Sequence, residues 1–202
     1  NDDMSIIDSE WQSNIIDYYN QSFNLGITLF KTLISCISDN TELADIAFQR
    51  PKTFSTLRFN FYPQKNIAVE ISSQDGEMLG CETHVDSGIM TILYQDKKGG
   101  LQVQNRNNLQ WYNVPYDPNS LVVNTGLALQ ILTNDYFKAT NHRVLVNNEE
   151  RISIPFFLEP SYDFVLNPKL LNISDKPIHE VNTYEVFLNH SLKKFIEYDR
   201  YI

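Results

Sequence analysis

Residues 82–93 read ETHVDSGIMTIL, which sets His84 and Asp86 two apart at the head of an apolar run. In an extended strand the side chains at i and i+2 share a face, so both groups would point into one space, as two ligands of one metal do. His-x-Asp by itself is a common tripeptide and often only a surface pair. The third ligand type comes from His142 in KATNHRVLV (138–146), at the start of a later apolar strand. Two imidazoles and one carboxylate make the facial triad of non-haem Fe(II) sites, whose open positions admit dioxygen and an oxidisable acid.

Two further stretches place polar groups beside apolar ones. In RISIPFF (151–157) the period of two puts Arg151, Ser153, Pro155 and Phe157 on one face and Ile152, Ile154 and Phe156 on the other. A guanidinium turned inward among apolar groups is costly unless an anion pairs with it, and a bidentate carboxylate is its natural partner. A strand-end arginine reaching solvent or an internal aspartate is the plainer alternative. In RFNFYP (58–63), Asn60 and Tyr62 share a face and can donate hydrogen bonds to a ligand carboxylate or satisfy each other. Val144 and Phe157 lie at even spacing from His142 and Arg151 and are expected to line the same pocket. His179, His190, Asn124, Asn134 and Trp111 read as structural, surface or turn positions.

The surrounding pattern is that of short strands: 56–62, 68–72, 91–95, 101–104, 109–113, 121–124, 142–146, 152–158 and 164–166, with QNRNNLQ (104–110) as a hairpin turn. Twelve Phe and eleven Tyr against seven Gly suit a β-rich interior. Many short strands with Gly, Asn and Pro turns indicate a sandwich or jelly roll. Ahead of them, Trp11, Ile15, Tyr19, Phe23, Ile27, Phe30, Ile34 and Ile37 recur every three or four positions. They predict an amphipathic helix over 9–38, started by Ser9 with Gln12 and broken near Gly26. A short helix over 42–48 and a closing helix over 182–196 complete the expectation. Residues 1–50 are thus a helical segment packing on a core of 51–202, one compact domain overall.

Composition excludes several partners. A formal charge of −9 over 202 residues, with no basic cluster, argues against nucleic acid and anionic membrane. Cys36 and Cys81 are too few for a disulfide framework, which suits a reduced, cytoplasmic protein. No apolar run reaches the length of a membrane span.

Taken in order, RFNFYP, HVDSGIMTILYQD (84–96), GGLQVQ (99–104), Trp111, SLVVNTGLALQILTNDYFKATNHRV (120–144) and RISIPFF resemble the isopenicillin-N-synthase-like family of Fe(II)- and 2-oxoglutarate-dependent oxygenases. The resemblance spans most of 56–164. It implies a double-stranded β-helix, a cupin-like jelly roll, with Fe(II) on His84, Asp86 and His142. It also implies that Arg151 and Ser153 hold the distal carboxylate of 2-oxoglutarate, helped by Tyr62 and Asn60. The expected reaction uses dioxygen to hydroxylate or desaturate a small molecule, with succinate and carbon dioxide as co-products. Two rival readings are an isopenicillin-N-synthase-like oxidase that does not use 2-oxoglutarate and a truncated, inactive metal-binding module. Two departures stand out: Asn124-Thr125-Gly126-Leu127 occurs where many members have Asn-x-Gly-Asp, and the N-terminal region usual in the family is expected to be absent.

Overall fold

Helix α1 (Ser9–Ser35) buries Phe23, Gly26, Phe30 and Ile34 along one stripe, the spacing that presents one helix face to a core. The computed structural model describes residues 8–64, 71–72, 75–146 and 149–192. Two expectations for α1 are corrected. The cap is Asp8, whose carboxylate accepts from the Glu10 amide, so Ser9 is already helical. The helix also runs unbroken through Gly26: a Cβ there would lie 3.2 Å from Leu158 Cδ2, so glycine lets the helix axis approach the sheet. Helix α2 (Leu43–Ala47) packs beside α1, with the Phe30 and Phe48 rings edge to face at 5.1 Å.

Among the described residues ten antiparallel strands follow: β1 (Thr56–Leu57), β2 (Asn60–Tyr62), β3 (Ile71–Ser72), β4 (Met78–His84), β5 (Met90–Gln95), β6 (Leu101–Gln104), β7 (Trp111–Asn113), β8 (Val122–Thr125), β9 (His142–Leu145) and β10 (Arg151–Leu158). One sheet has the order β1-β10-β5-β8, with β2 also on β10; the other has the order β3-β4-β9-β6-β7. From β4 onward the chain passes repeatedly between the two sheets, and a cavity is enclosed between them. Helix α3 (Leu127–Leu132) sits between β8 and β9, and α4 (Tyr184–Leu192) follows the last strand.

The departures from the expected strands have local causes. The run 56–62 is split because Arg58 lies opposite Pro155, which has no N–H to complete the ladder; only the Arg58 amide bonds across, to the Pro155 carbonyl at 3.0 Å. Strand β4 was not legible because register shifts between Leu79, Cys81 and His84 break its alternation. Helix α3 is six residues with too few turns to show a period. Strand β7 starts at Trp111 rather than at 109, since Leu109 takes φ 59° in the hairpin turn. Instead of a strand at 164–166 there is a single bridge, Val165 with Thr183. Of the run 68–72 only Ile71–Ser72 lies within the described residues, and the end of the helix expected over 182–196 lies outside them.

The outer face of the first sheet carries the main core. Ile92, Phe156 and Leu158 are fully buried against Phe30 and Ile34 of α1, with the Tyr19 ring edge-on to Phe156 at 5.3 Å. Side chains of this size contribute about 1.5–3 kcal/mol each when fully buried. Among the described residues no helix is long and apolar enough to cross a membrane. With one sheet face fastened to α1, the opposite face is left to line the cavity.

Candidate active site

His84 is the last residue of β4 and His142 the first of β9, paired directly across the ladder with ring centroids 4.2 Å apart. Asp86 is not on a strand with His84, contrary to the period-of-two expectation. It lies in the turn between β4 and β5, so its direction is set by contacts rather than by strand alternation. The first of these are backbone bonds: the Leu127 amide donates to the Asp86 carbonyl at 2.8 Å, and the Ala128 amide to the carbonyls of Ser87 and Gly88. The free amides at the start of α3 thus hold the turn.

The Asp86 carboxylate is also divided in its bonding. Oδ2 accepts from Thr91 Oγ1 at 2.5 Å and from Asn124 Nδ2 at 2.7 Å. Oδ1 is left facing both imidazoles, 3.6 Å from Nε2 of His84 and of His142. One ligand atom from each of the three residues lies within 4.8 Å of the others. The Nδ1–H of His84 donates to the Glu82 carbonyl at 2.7 Å, and that of His142 to the Thr140 carbonyl at 3.1 Å. Each bond selects the tautomer that leaves Nε2 unprotonated toward the shared space, as metal-ligating histidines require. Burial, the largest influence on His84, works against its charged form, but the Cys81 thiol and the Glu82 carbonyl outweigh it and raise the pKa.

Arg151 is 1% exposed at the other end of the same cavity. Its Nε donates to the Gly99 carbonyl and its guanidinium lies 4.7 Å from the centroid of the Tyr62 ring, while Nη1 is buried without a hydrogen-bond partner. Ser153 and Tyr62 stand beside it; burial, chiefly, and then Cys81 push the Tyr62 phenol up, against the pull of Arg151 and Ser153. A buried guanidinium with an idle N–H in the wall of a cavity is the arrangement a carboxylate completes. The cavity, about 300 Å³, is lined by the triad, Asn60, Tyr62, Arg151 and Ser153, and also by Val144 and Phe157.

Several contributors were not singled out in the sequence. Asn124, read there as structural, and Thr91 reach Asp86 because β5 and β8 pair them as Thr91↔Asn124, a cross-strand relation with no sequence period. Arg58 and Cys81 also line the cavity. Other residues named from the sequence lie elsewhere: His179 pairs with Asp135 at 2.6 Å, Trp111 stacks under Arg143 at 4.1 Å, and Asn134 holds the 176–178 turn.

Comparison with known proteins places this geometry in a family. The isopenicillin N synthase of Streptomyces clavuligerus is 31% identical over 181 residues, covering 89% of this chain and 54% of its own length. Feruloyl CoA ortho-hydroxylase 2 of Arabidopsis thaliana is 30% identical, over 91% of this chain and 49% of its own. The chain thus spans about half the length of the curated relatives it matches. Among solved structures, JOX2 in complex with 2OG, Fe and JA aligns with a TM-score of 0.76 at 28% identity, over 90% of this chain and 52% of that one. The profile described as the 2OG-Fe(II) oxygenase superfamily matches residues 53–160, and the chain belongs to that superfamily.

Proposed function

We propose that this chain carries the catalytic core of an Fe(II)- and 2-oxoglutarate-dependent oxygenase acting on a small molecule, built as a double-stranded β-helix. The passage of the chain between two facing antiparallel sheets supports the fold reading. The observation that carries the functional reading is the unpartnered, buried Nη1 of Arg151 in the same cavity as the His84, Asp86 and His142 donors.

The donor set suits the metal: two imidazole nitrogens and one carboxylate oxygen converge, and their other polar atoms are already bonded. In this reading His84, Asp86 and His142 hold Fe(II). Arg151, with Ser153, Tyr62 and Asn60, binds and orients the far carboxylate of 2-oxoglutarate. Bound together with dioxygen, these groups supply a two-electron oxidation of a substrate C–H bond, giving hydroxylation or desaturation with succinate and carbon dioxide released. The chain's own part is to fix donor directions through Thr91, Asn124 and the start of α3, to neutralise the acid with Arg151, and to exclude water with Val144 and Phe157. Location in the cytoplasm rests on the two unpaired cysteines.

The isopenicillin N synthase relatives favour a second reading, in which Arg151 and Ser153 hold the substrate's own carboxylate and no 2-oxoglutarate is used. Anaerobic titration of the Fe(II)-loaded protein with 2-oxoglutarate, followed by oxygen uptake with and without it, separates the two. Stoichiometric binding and uptake that depends on 2-oxoglutarate support the first; absence of binding overturns it.

A further inference from the structure

The turn joining β5 to β6, Asp96 to Gly100, touches Arg151 without being part of the cavity wall. The ladder between β5 and β10 runs as far as Gln95 opposite Ser153, and beyond it the Asp96 amide donates to the Ile152 carbonyl at 3.2 Å. The Asp96 side chain then grips both partners. Oδ2 accepts from the amide of Ile152, the neighbour of Arg151 in the chain, at 2.6 Å, and Oδ1 accepts from the Lys98 amide at 2.9 Å, inside the turn. One carboxylate thus fastens the start of β10 to the turn.

The turn is shaped to return a carbonyl to Arg151. The Gly99 amide donates to the Asp96 carbonyl at 3.3 Å, and φ is 65° at Gly99 and 93° at Gly100, in the left-handed region. A Cβ on Gly99 would meet nothing within 4 Å, so glycine serves there for backbone direction rather than for room. That direction sends the Gly99 carbonyl to Nε of Arg151, while the Gly100 carbonyl accepts from the Leu145 amide of β9 at 2.8 Å. With Nε bonded, the guanidinium plane is held, and the terminal nitrogens, of which Nη1 is unpartnered, are left for an anion.

We propose that Asp96 is a positioning residue for the co-substrate: through the Gly99 carbonyl it sets the plane in which the Arg151 guanidinium meets the distal carboxylate of 2-oxoglutarate. This rests on the oxygenase reading of the cavity. Orienting a forked donor in advance lowers the ordering cost of binding. The metal ligands take their directions from other groups, Thr91, Asn124 and the carbonyls of Glu82 and Thr140, so the effect falls on the acid and not on the metal.

The test is a cycle of variants, Asp96→Ala, Arg151→Lys and both together, titrated anaerobically with 2-oxoglutarate as Mn(II)-loaded protein. Asp96→Ala should weaken 2-oxoglutarate binding about tenfold, with Mn(II) affinity within about twofold of the parent. Added to Arg151→Lys, which lacks the Nε–H that Gly99 accepts, it should cost less than about twofold. Asp96→Asn keeps an acceptor for the Lys98 amide but not a second for Ile152. It should weaken binding about threefold, and it takes the place of Asp96→Ala should that variant fail to fold. Parent-like binding in the Asp96 variants, an equal loss in both Arg151 backgrounds, or a matching fall in Mn(II) affinity would each overturn the assignment. The Nε–H of Arg151 gives a readout with no acid bound. In the proton–nitrogen spectrum of Zn(II)-loaded protein, the signal that Arg151→Lys removes should exchange with water about tenfold faster in the Asp96 variant than in the parent. If the parent binds no 2-oxoglutarate the oxygenase reading falls, while this exchange rate still decides whether Asp96 orients Arg151: an unchanged rate overturns it.

Discussion

Asn124 donates its side-chain amide to Oδ2 of Asp86 across 2.7 Å, from the strand on the far side of Thr91, which donates to the same oxygen. Two donors on one carboxylate oxygen turn the other toward the histidines, so a residue outside the triad sets the direction of one within it.

Replacing Asn124 or Thr91 should therefore weaken metal binding without removing it. Asn124→Ala and Thr91→Val are each expected to lower divalent metal affinity about 10–100-fold, whereas His84→Ala should abolish stoichiometric binding. Anaerobic titration with Fe(II) or Mn(II) measures both, and unchanged metal content in His84→Ala would remove the triad assignment.

Arg151→Lys keeps the charge but loses the forked donors, and Arg151→Ala loses both. Each should cost about 2–4 kcal/mol in 2-oxoglutarate binding, the range for breaking a desolvated charge pair, with metal affinity little changed. Titration of the anaerobic metal-loaded variants is the check; parent-like affinity in both would mean that the anchor lies elsewhere.

Glu159 makes stability depend on pH. Burial, chiefly, raises its pKa from 4.5 to about 7; Asp86 adds to the rise, while Tyr184, Ser87 and Arg58 oppose it. The Tyr184 hydroxyl lies beside the carboxyl but short of a well-formed hydrogen bond. The folded chain holds this proton more tightly than the unfolded one, so the contribution is complete below pH 4.5 and is lost as pH rises through about 7. The shift corresponds to about 3 kcal/mol. Glu159→Gln should lack this loss and gain on the parent between pH 5 and pH 8, as read from denaturant midpoints in the presence of a chelator. Parallel pH profiles would contradict the burial argument.

Gly126 is the closest backbone approach near the site: a Cβ there would lie 2.3 Å from the Gly88 carbonyl oxygen and 2.9 Å from that of Asp86. Neither atom can yield without moving the turn that carries the Asp86 carboxylate. Gly126→Ala is expected to cost about 2–3 kcal/mol in stability and to weaken metal binding as well. Thermal unfolding and metal titration of the same sample test this; loss of stability alone would show that the turn does not transmit the shift to Asp86.

Side-chain chemistry and strand alternation made part of this protein legible from its sequence. The Arg151-Ser153 and Asn60-Tyr62 faces, the hairpin at 104–110 and most strands of the two sheets follow from a period of two, because consecutive side chains on a strand must point to opposite sides. Helix α1 follows from its repeat of three and four. Tertiary structure alone decided what has no period. Asp86 is aimed by Thr91, by Asn124 and by the amides of α3, groups brought together by strand register and a helix start. Strand β4 was hidden by its bulges, and Gly26 signalled a break where close packing against Leu158 was the reason for glycine. The place of Arg58 in the cavity wall depends on its register opposite Pro155, a relation between distant segments that a single strand does not contain.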